Sequence, residues 1–324
     1  MKKVLVTGGA GYIGCHTAKE LLKQGFEVVV FDNLSNGKKE FVLGGELIVG
    51  DLLDKDAVRR VFRSGDIAAV LHFASLIQVG ESYLDPRKYY GQNLISSLNL
   101  LEAMLEAGVR SFIFSSSAAV YGTPLHIPIP EDHPLLPFNP YGQTKFFVEK
   151  ILQDYDRAYG MKFISLRYFN AAGADPDGEM GEMHNPETHL IPNILLAILG
   201  KKEYLEIYGT DFPTPDGTAV RDYIHVTDLS SAHVLALQKL LASSQSEFIN
   251  LGTNKGYSVR EVIAKSEELT GKKVPSRSKS RRQGDVPVLL ASKEKAERLL
   301  GWKLRYSELE TIIETAWKWH KKLN

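Results

Sequence analysis

The sequence predicts an α/β fold, a doubly wound parallel sheet followed by a smaller mixed α/β unit, and three observations carry that expectation. Short apolar runs alternate with longer amphipathic stretches through the first half, a glycine-rich turn joins the first such pair, and after Asn170 the texture changes to loops rich in Gly and Pro. At roughly 150 residues per domain, 324 residues suffice for two units.

The strands come at a steady beat: Val4–Val6, Val28–Phe31, Leu47–Val49, Ala68–Phe73, Phe112–Phe114 and Phe163–Leu166, each apolar enough to be covered on both faces. Helices are expected between them at Tyr12–Gln24, Lys55–Phe62, Leu94–Glu106 and Gly142–Tyr159, with Gly25, Gly108 and Gly160 at their ends. In the second unit the helical stretches are Val226–Leu241, Val259–Thr270, Lys293–Leu300 and Ser307–Lys322. Trp317 and Trp319 stand two apart on the last of these, so one is expected in the core and the other partly exposed.

Composition narrows the function classes. Lys and Arg total 39 against 39 Asp and Glu, so a polyanion such as nucleic acid is not the expected partner. The basic run from Lys272 to Arg282 reads as mostly solvated charge. The single cysteine, Cys15, excludes an internal disulfide and a Cys-x-x-Cys metal site, and suits a reducing compartment. No apolar stretch approaches the roughly 20 residues of a membrane span. The run Val4–Val6 stops at Thr7-Gly8-Gly9, too short for a signal-peptide core, so a cytoplasmic location is expected. The nine histidines include no His-x-His or His-Glu-x-x-His spacing, and no metal is expected.

Gly8, Gly11 and Gly14 follow the first strand and open the first helix. Glycines there let the backbone approach a pyrophosphate, whose charge the free N–H groups of the helix start favour. Asp32 ends the second strand 18 residues after Gly14, where a carboxylate accepts the hydroxyls of an adenosine ribose. This Rossmann-type pattern favours NAD. Lys38 and Lys39 keep NADP open as a minor alternative, though Asp32 would repel its phosphate. Asp51-Leu52, after the third strand, lies within reach of adenine.

Tyr141 and Lys145 lie four residues apart at a helix start, hence on one face. A phenol titrates near pH ~10 and becomes a useful base only beside positive charge. Ser117 follows the fifth strand, on the edge of the sheet that faces the ligand crevice, where it can relay a proton from a substrate hydroxyl held beside Tyr141.

With these motifs, and with Asp32-Asn33-Leu34, Val79–Ser82, Leu166–Asn170, Asp216-Gly217-Thr218, Arg221–Asp228 and Arg282–Asp285, the chain resembles the extended short-chain dehydrogenases/reductases and, within them, the UDP-glucose 4-epimerases. The resemblance spans almost the whole chain. It implies a dinucleotide-binding unit over 1–169, onto which 219–241 packs back, and a UDP-sugar unit over 170–324. It implies that Tyr141 takes the proton of the 4-hydroxyl with help from Ser117, that NAD accepts and returns a hydride at C4, and that the intermediate ketone turns over in between. For NAD it carries over Gly11, Tyr12, Ile13, Asp32, Asn33, Asn36, Asp51, Leu52, Phe73, Asn93, Lys145 and Phe169. For the UDP-hexose substrate it carries over Asn170, Leu190, Tyr208, Arg221, Tyr223, Arg282 and Asp285; paired arginines suit a diphosphate and a carboxylate suits ribose hydroxyls.

Related 4,6-dehydratases carry Thr-Asp-Glu where this chain has Ser117-Ala118-Ala119, so elimination lacks its carboxylates here. Three positions depart from many family members. Ser75 and Ile77 replace a Gly and a Lys that contacts cofactor phosphates, which implies looser NAD. His189 stands where some members have Asn near the diphosphate, either as a ligand or as an incidental loop histidine. Leu289 occupies the family's sugar gate, intermediate between the tyrosine that confines the site to glucose and galactose and the small residue that admits N-acetyl sugars. Leu94–Glu106 and Phe146–Tyr159 resemble the family's homodimer helices. Another nucleotide-sugar epimerase or decarboxylase, such as a uronate 4-epimerase, stays open as an alternative. So does a non-catalytic NAD-binding regulator, because fold alone does not decide function.

Overall fold

The computed structural model describes residues 2–63, 65–282 and 284–323. The strands are β1 (Lys3–Thr7), β2 (Glu27–Asp32), β3 (Glu46–Val49), β4 (Ile67–His72), β5 (Ser111–Ser115), β6 (Lys162–Tyr168), β7 (Asn170–Ala172), β8 (Leu205–Tyr208), β9 (Val220–Arg221), β10 (Tyr223–His225), β11 (Glu247–Leu251), β12 (Tyr257–Ser258), β13 (Ser276–Lys279) and β14 (Val288–Leu289). The helices are α1 (Tyr12–Lys23), α2 (Lys55–Arg63), α3 (Val79–Leu84), α4 (Pro86–Tyr89), α5 (Ser96–Glu106), α6 (Pro140–Tyr159), α7 (Leu190–Ile198), α8 (Val226–Ser243), α9 (Val259–Thr270), α10 (Glu294–Leu300) and α11 (Leu309–Lys322).

Seven strands form one parallel sheet in the order β3-β2-β1-β4-β5-β6-β11. The order reverses direction between β1 and β4, which opens a crevice above their carboxyl ends. Alternation along each strand sends side chains to two cores. Val4, Val6, Val28, Val30 and Leu71 pack under α1, α8 and α10, while Leu5, Val29, Val70, Phe112 and Phe114 pack under α2, α5 and α6. The doubly wound α/β class expected from the sequence is the one observed.

Each expected strand and helix of the first half is present to within a few residues. Two features differ. The helix expected from Leu94 is preceded by six residues of π-helix, Tyr90–Ile95. Within it Asn93 turns inward, accepting from Leu76 N at 2.8 Å and donating to Leu76 O at 3.0 Å, the kind of local helix widening that accompanies functional sites. Strand β11 was absent from the sequence pattern. Its residues Glu-Phe-Ile-Asn-Leu interrupt the apolar run with Asn250, which is fully buried because Tyr121 donates to its Oδ1 at 2.6 Å.

The remaining strands make three small sheets, β7–β10, β8–β13 and the trio β12-β9-β14. They flank a third apolar core shared by α7, α9 and α11. Trp319 is buried and Trp317 half-buried, as the spacing suggested. Among the described residues no helix is long and apolar enough to cross a membrane.

Candidate active site

The glycine loop lies against the sheet at the crevice. Gly8 has φ +73°, and a Cβ there would lie 2.5 Å from Ala74 N; a Cβ on Gly14 would lie 2.2 Å from Gly8 O. Only hydrogen fits at either place, so the turn brings bare backbone to the start of α1. Asp32 is buried at the end of β2, its two oxygens accepting from Ala10 N at 3.0 Å and Leu34 N at 2.8 Å. Burial pushes its carboxyl up, and those two N–H donors oppose the shift. The remaining lone pairs suit ribose hydroxyls, so loop and carboxylate fit an NAD nucleotide.

The other cofactor candidates surround this edge. Asn33 Nδ2 donates to Asp51 Oδ2 at 2.9 Å, and Leu52 is buried beside them. Tyr12, buried at the first position of α1, donates from its hydroxyl to Gly173 O at 2.6 Å, joining the loop to the second unit. Ile13 and Phe73 are half-buried, the latter with its ring 4.7 Å from that of His233, whereas Asn36 is exposed. Gly11 caps α1.

At the tips of β5 and α6 the chemical groups converge. Asn139 caps α6 by accepting from Gly142 N at 2.7 Å, with Pro140 in the first turn. A Cβ on Gly142 would lie 2.6 Å from Ala119 O. That close approach sets Tyr141 against the turn that starts at Ser117, and the Ser117 hydroxyl, which accepts from Ala119 N at 3.1 Å, is near enough to the phenol to hold its pKa down. Lys145, one helical turn on, is 4% exposed; its Nζ donates to Ser115 O at 2.9 Å and lies 5.9 Å from the Tyr141 ring centroid. Burial raises the Tyr141 phenol, with the nearby Ser117 hydroxyl opposing, and lowers Lys145 to about 7, with the Glu149 carboxylate opposing.

The sequence reading missed what supports this face. Glu149, the next turn of α6, accepts from Ser116 Oγ at 2.7 Å, Ser165 Oγ at 2.8 Å and Arg167 through two bonds of 2.9 and 2.7 Å. Arg167 also donates to the Tyr121 hydroxyl at 2.9 Å. The available signal was charge in apolar surroundings, since Arg167 ends the Phe163–Leu166 run.

The substrate candidates come from the residues after Phe169. Arg282 pairs with Asp285 at 3.0 Å, Arg221 lies 3.9 Å from the same carboxylate, and the Arg282 guanidinium stands 5.1 Å over the Tyr208 ring. Gln283, within that motif, lies outside the described residues. Asn170 Nδ2 donates to Asp222 O at 2.9 Å, and Tyr223 is buried beside it in β10, which pairs with β7. His189 and Leu190 begin α7. Leu289 and Phe169 pack with Phe146 against the cluster of Ala118, Val120, Tyr121 and Ile129, the first two in the turn that follows Ser117.

Residues 4–252 match the family model described as the NAD dependent epimerase/dehydratase family. The chain belongs to that family. It is 48% identical over 319 residues to the UDP-glucose 4-epimerase of Halalkalibacterium halodurans, covering 98% of this chain and 96% of the relative. The solved UDP-glucose 4-epimerase of Brucella ovis in complex with NAD superposes with a TM-score of 0.95 at 48% identity, covering 98% of each chain. The enzyme of Bifidobacterium longum in complex with NAD+ and UDP gives 0.95 at 40% identity, covering 99% of this chain and 98% of that one.

Proposed function

We propose that the protein interconverts UDP-galactose and UDP-glucose by NAD-dependent oxidation and re-reduction at C4. The observation that carries this is the Tyr141 phenol, set against the turn at Ser117 and with the buried Lys145 Nζ 5.9 Å from its ring, where the residues after Ser117 are alanines. One base and one hydrogen-bond partner suffice for oxidation at a single carbon, whereas elimination needs additional acid groups. Tyr141 takes the proton of the 4-hydroxyl, Ser117 orients that oxygen, and Lys145 supplies charge that favours the phenolate. Bound NAD+ supplies the hydride acceptor and returns the hydride to the opposite face of the sugar.

Gly8, Gly11, Tyr12, Ile13, Gly14, Asp32, Asn33, Asn36, Asp51, Leu52, Phe73, Asn93, Lys145 and Phe169 hold the cofactor in this reading, on the unit of residues 1–169 with 219–241 packed back. Residues 170–324 hold the UDP-hexose. Arg221 and Arg282 take the diphosphate together with His189, Asp285 takes ribose hydroxyls, and Asn170, Leu190, Tyr208 and Tyr223 line the remainder. Leu289, intermediate in size between the tyrosine and the small residue found at the family's sugar gate, admits UDP-N-acetylgalactosamine as well, at lower turnover. No detectable N-acetyl turnover would remove that extension. The enzyme acts in the cytoplasm as a homodimer through the faces of α5, with the π-helical turn before it, and of α6, where Ile95 and Phe147 are exposed.

The test is conversion of UDP-galactose to UDP-glucose by purified protein, with and without added NAD. Conversion without added NAD means a retained cofactor, and conversion only with it follows from Ser75 and Ile77. Absence of conversion in both arms overturns the proposal.

A further inference from the structure

The loop that enters α7 gathers Glu182, His184, Glu187 and His189, spaced Glu-x-His-x-x-Glu-x-His. One ligand atom from each lies within 4.8 Å of all the others. Glu182 Oε1 is 2.9 Å from His184 Nδ1 and 2.6 Å from His189 Nδ1, and Glu187 Oε1 is 2.9 Å from His189 Nδ1.

Hydrogen bonding alone leaves part of this arrangement unexplained. An imidazole Nδ1 carries one proton, yet that of His189 faces two carboxylate oxygens. The Glu182 and Glu187 side chains are 4% and 8% exposed, and a protonated His189 between them offsets only one of these two buried charges. A neighbouring acidic cluster shows the contrast. Asp175, Asp177 and Glu179 surround the Lys19 ammonium at 2.9, 3.1 and 2.6 Å; the ammonium balances the one buried carboxylate, Asp175, and water screens the other two, which are 67% and 49% exposed. At Glu182 and Glu187 the facing groups are the imidazoles of His184 and His189, with the buried His320 of α11 close enough to feel both charges.

We propose that Glu182, His184, Glu187 and His189 bind one divalent transition-metal ion of the zinc class, which fastens the loop at the start of α7. Two imidazole nitrogens and two carboxylate oxygens make a four-ligand set suited to tetrahedral zinc, and the ion brings the cluster to zero net charge. The ligands are themselves held. Glu187 Oε1 accepts from the N–H groups of Thr188 and His189 at 2.8 Å each, Trp319 Nε1 donates to Glu182 O at 3.1 Å, and the His184 ring meets the Tyr12 ring edge-on at 6.2 Å. Four protein ligands leave no open position, so the ion is structural. Nδ1 of each histidine faces the ion, and a diphosphate contact by His189 uses Nε2. The absence of familiar metal spacings led the sequence reading to expect no metal; here the loop supplies all four donors.

Full-length protein stripped with a chelator is loaded with Zn2+ alone, desalted, and assayed for bound metal and melting temperature. We expect about one zinc per chain, a higher melting temperature and proton release on binding. His184→Asn is expected to bind at least roughly tenfold more weakly and to lose the thermal response while its turnover of UDP-galactose persists. His184→Cys, which restores a zinc ligand, is expected to recover binding, and Asp177→Asn to leave it unchanged. Equal zinc retention by wild type and His184→Asn, or wild type that takes up Mg2+ but no Zn2+, overturns the proposal.

Discussion

Lys145 is 4% exposed on a helix packed against the sheet, whereas the Arg282 side chain is 58% exposed on a loop and held by its pair with Asp285. The candidate base and its neighbours stand on secondary structure, backed by a buried ion pair between Glu149 and Arg167 whose side chains are each 2% exposed. Of the groups assigned to the diphosphate, Arg282 stands on the connection between β13 and β14, Arg221 ends the two-residue strand β9, and His189 stands at the start of α7. Proton transfer demands placement to a fraction of an ångström, which a packed helix and strand supply. Holding a diphosphate demands charge and reach, which an exposed guanidinium supplies while remaining able to follow a substrate that must turn over.

The sharpest way to break this contrast is Tyr141→Phe. The variant is expected to bind NAD and UDP as wild type does and to lose about 10³- to 10⁴-fold in kcat, the upper range for a general acid–base group. Retained turnover would remove the phenol from the chemistry. Next comes the frame beneath it. Glu149→Gln leaves Arg167 buried without its carboxylate, so urea unfolding is expected to show a loss of about 3–5 kcal/mol. A loss under about 1 kcal/mol would mean that the network does not brace the catalytic face.

On the loop side the effects are smaller and fall on a different constant. Arg282→Ala is expected to raise KM for UDP-galactose about tenfold with kcat nearly unchanged, the value of one exposed charge-assisted contact. Arg221→Ala, whose guanidinium is 14% exposed, should raise KM further. If Arg282→Ala instead lowers kcat at constant KM, the loop takes part in the chemistry and the contrast fails.

The division also governs what the sequence makes legible. Gly8, Gly14 and Asp32 could be read directly, because a turn without room for a Cβ and a carboxylate at a strand end are local requirements. Ser117, Tyr141 and Lys145 were legible too, since helix periodicity and strand position place them. Glu149, Arg167 and Asn250 were not, because they meet only through pairings across β5, β6 and β11 that no spacing encodes. The Glu182–His189 cluster was lost for another reason: its four donors lie within eight residues, but an irregular loop, not a helix or strand period, brings them together.

The smallest effect tests the cost of burying the catalytic cation. Burial lowers Lys145 to about 7, while a lysine in the unfolded chain titrates near about 10.4. Between those values unfolding takes up a proton, so stability rises with pH over that window. Below about pH 7 the amine is charged in both states and the native fold bears the full burial penalty. Lys145→Met carries no such charge. The stability of wild type relative to this variant is therefore expected to improve by up to about 1 kcal/mol per pH unit between pH 7 and 9, measured by urea unfolding of both proteins. A difference that stays flat would mean that the ammonium remains charged throughout, held by Ser115 O and the field of Glu149. In that case the packed side of the site would keep its cation as easily as the exposed side keeps Arg282, and burial would cease to be what separates them.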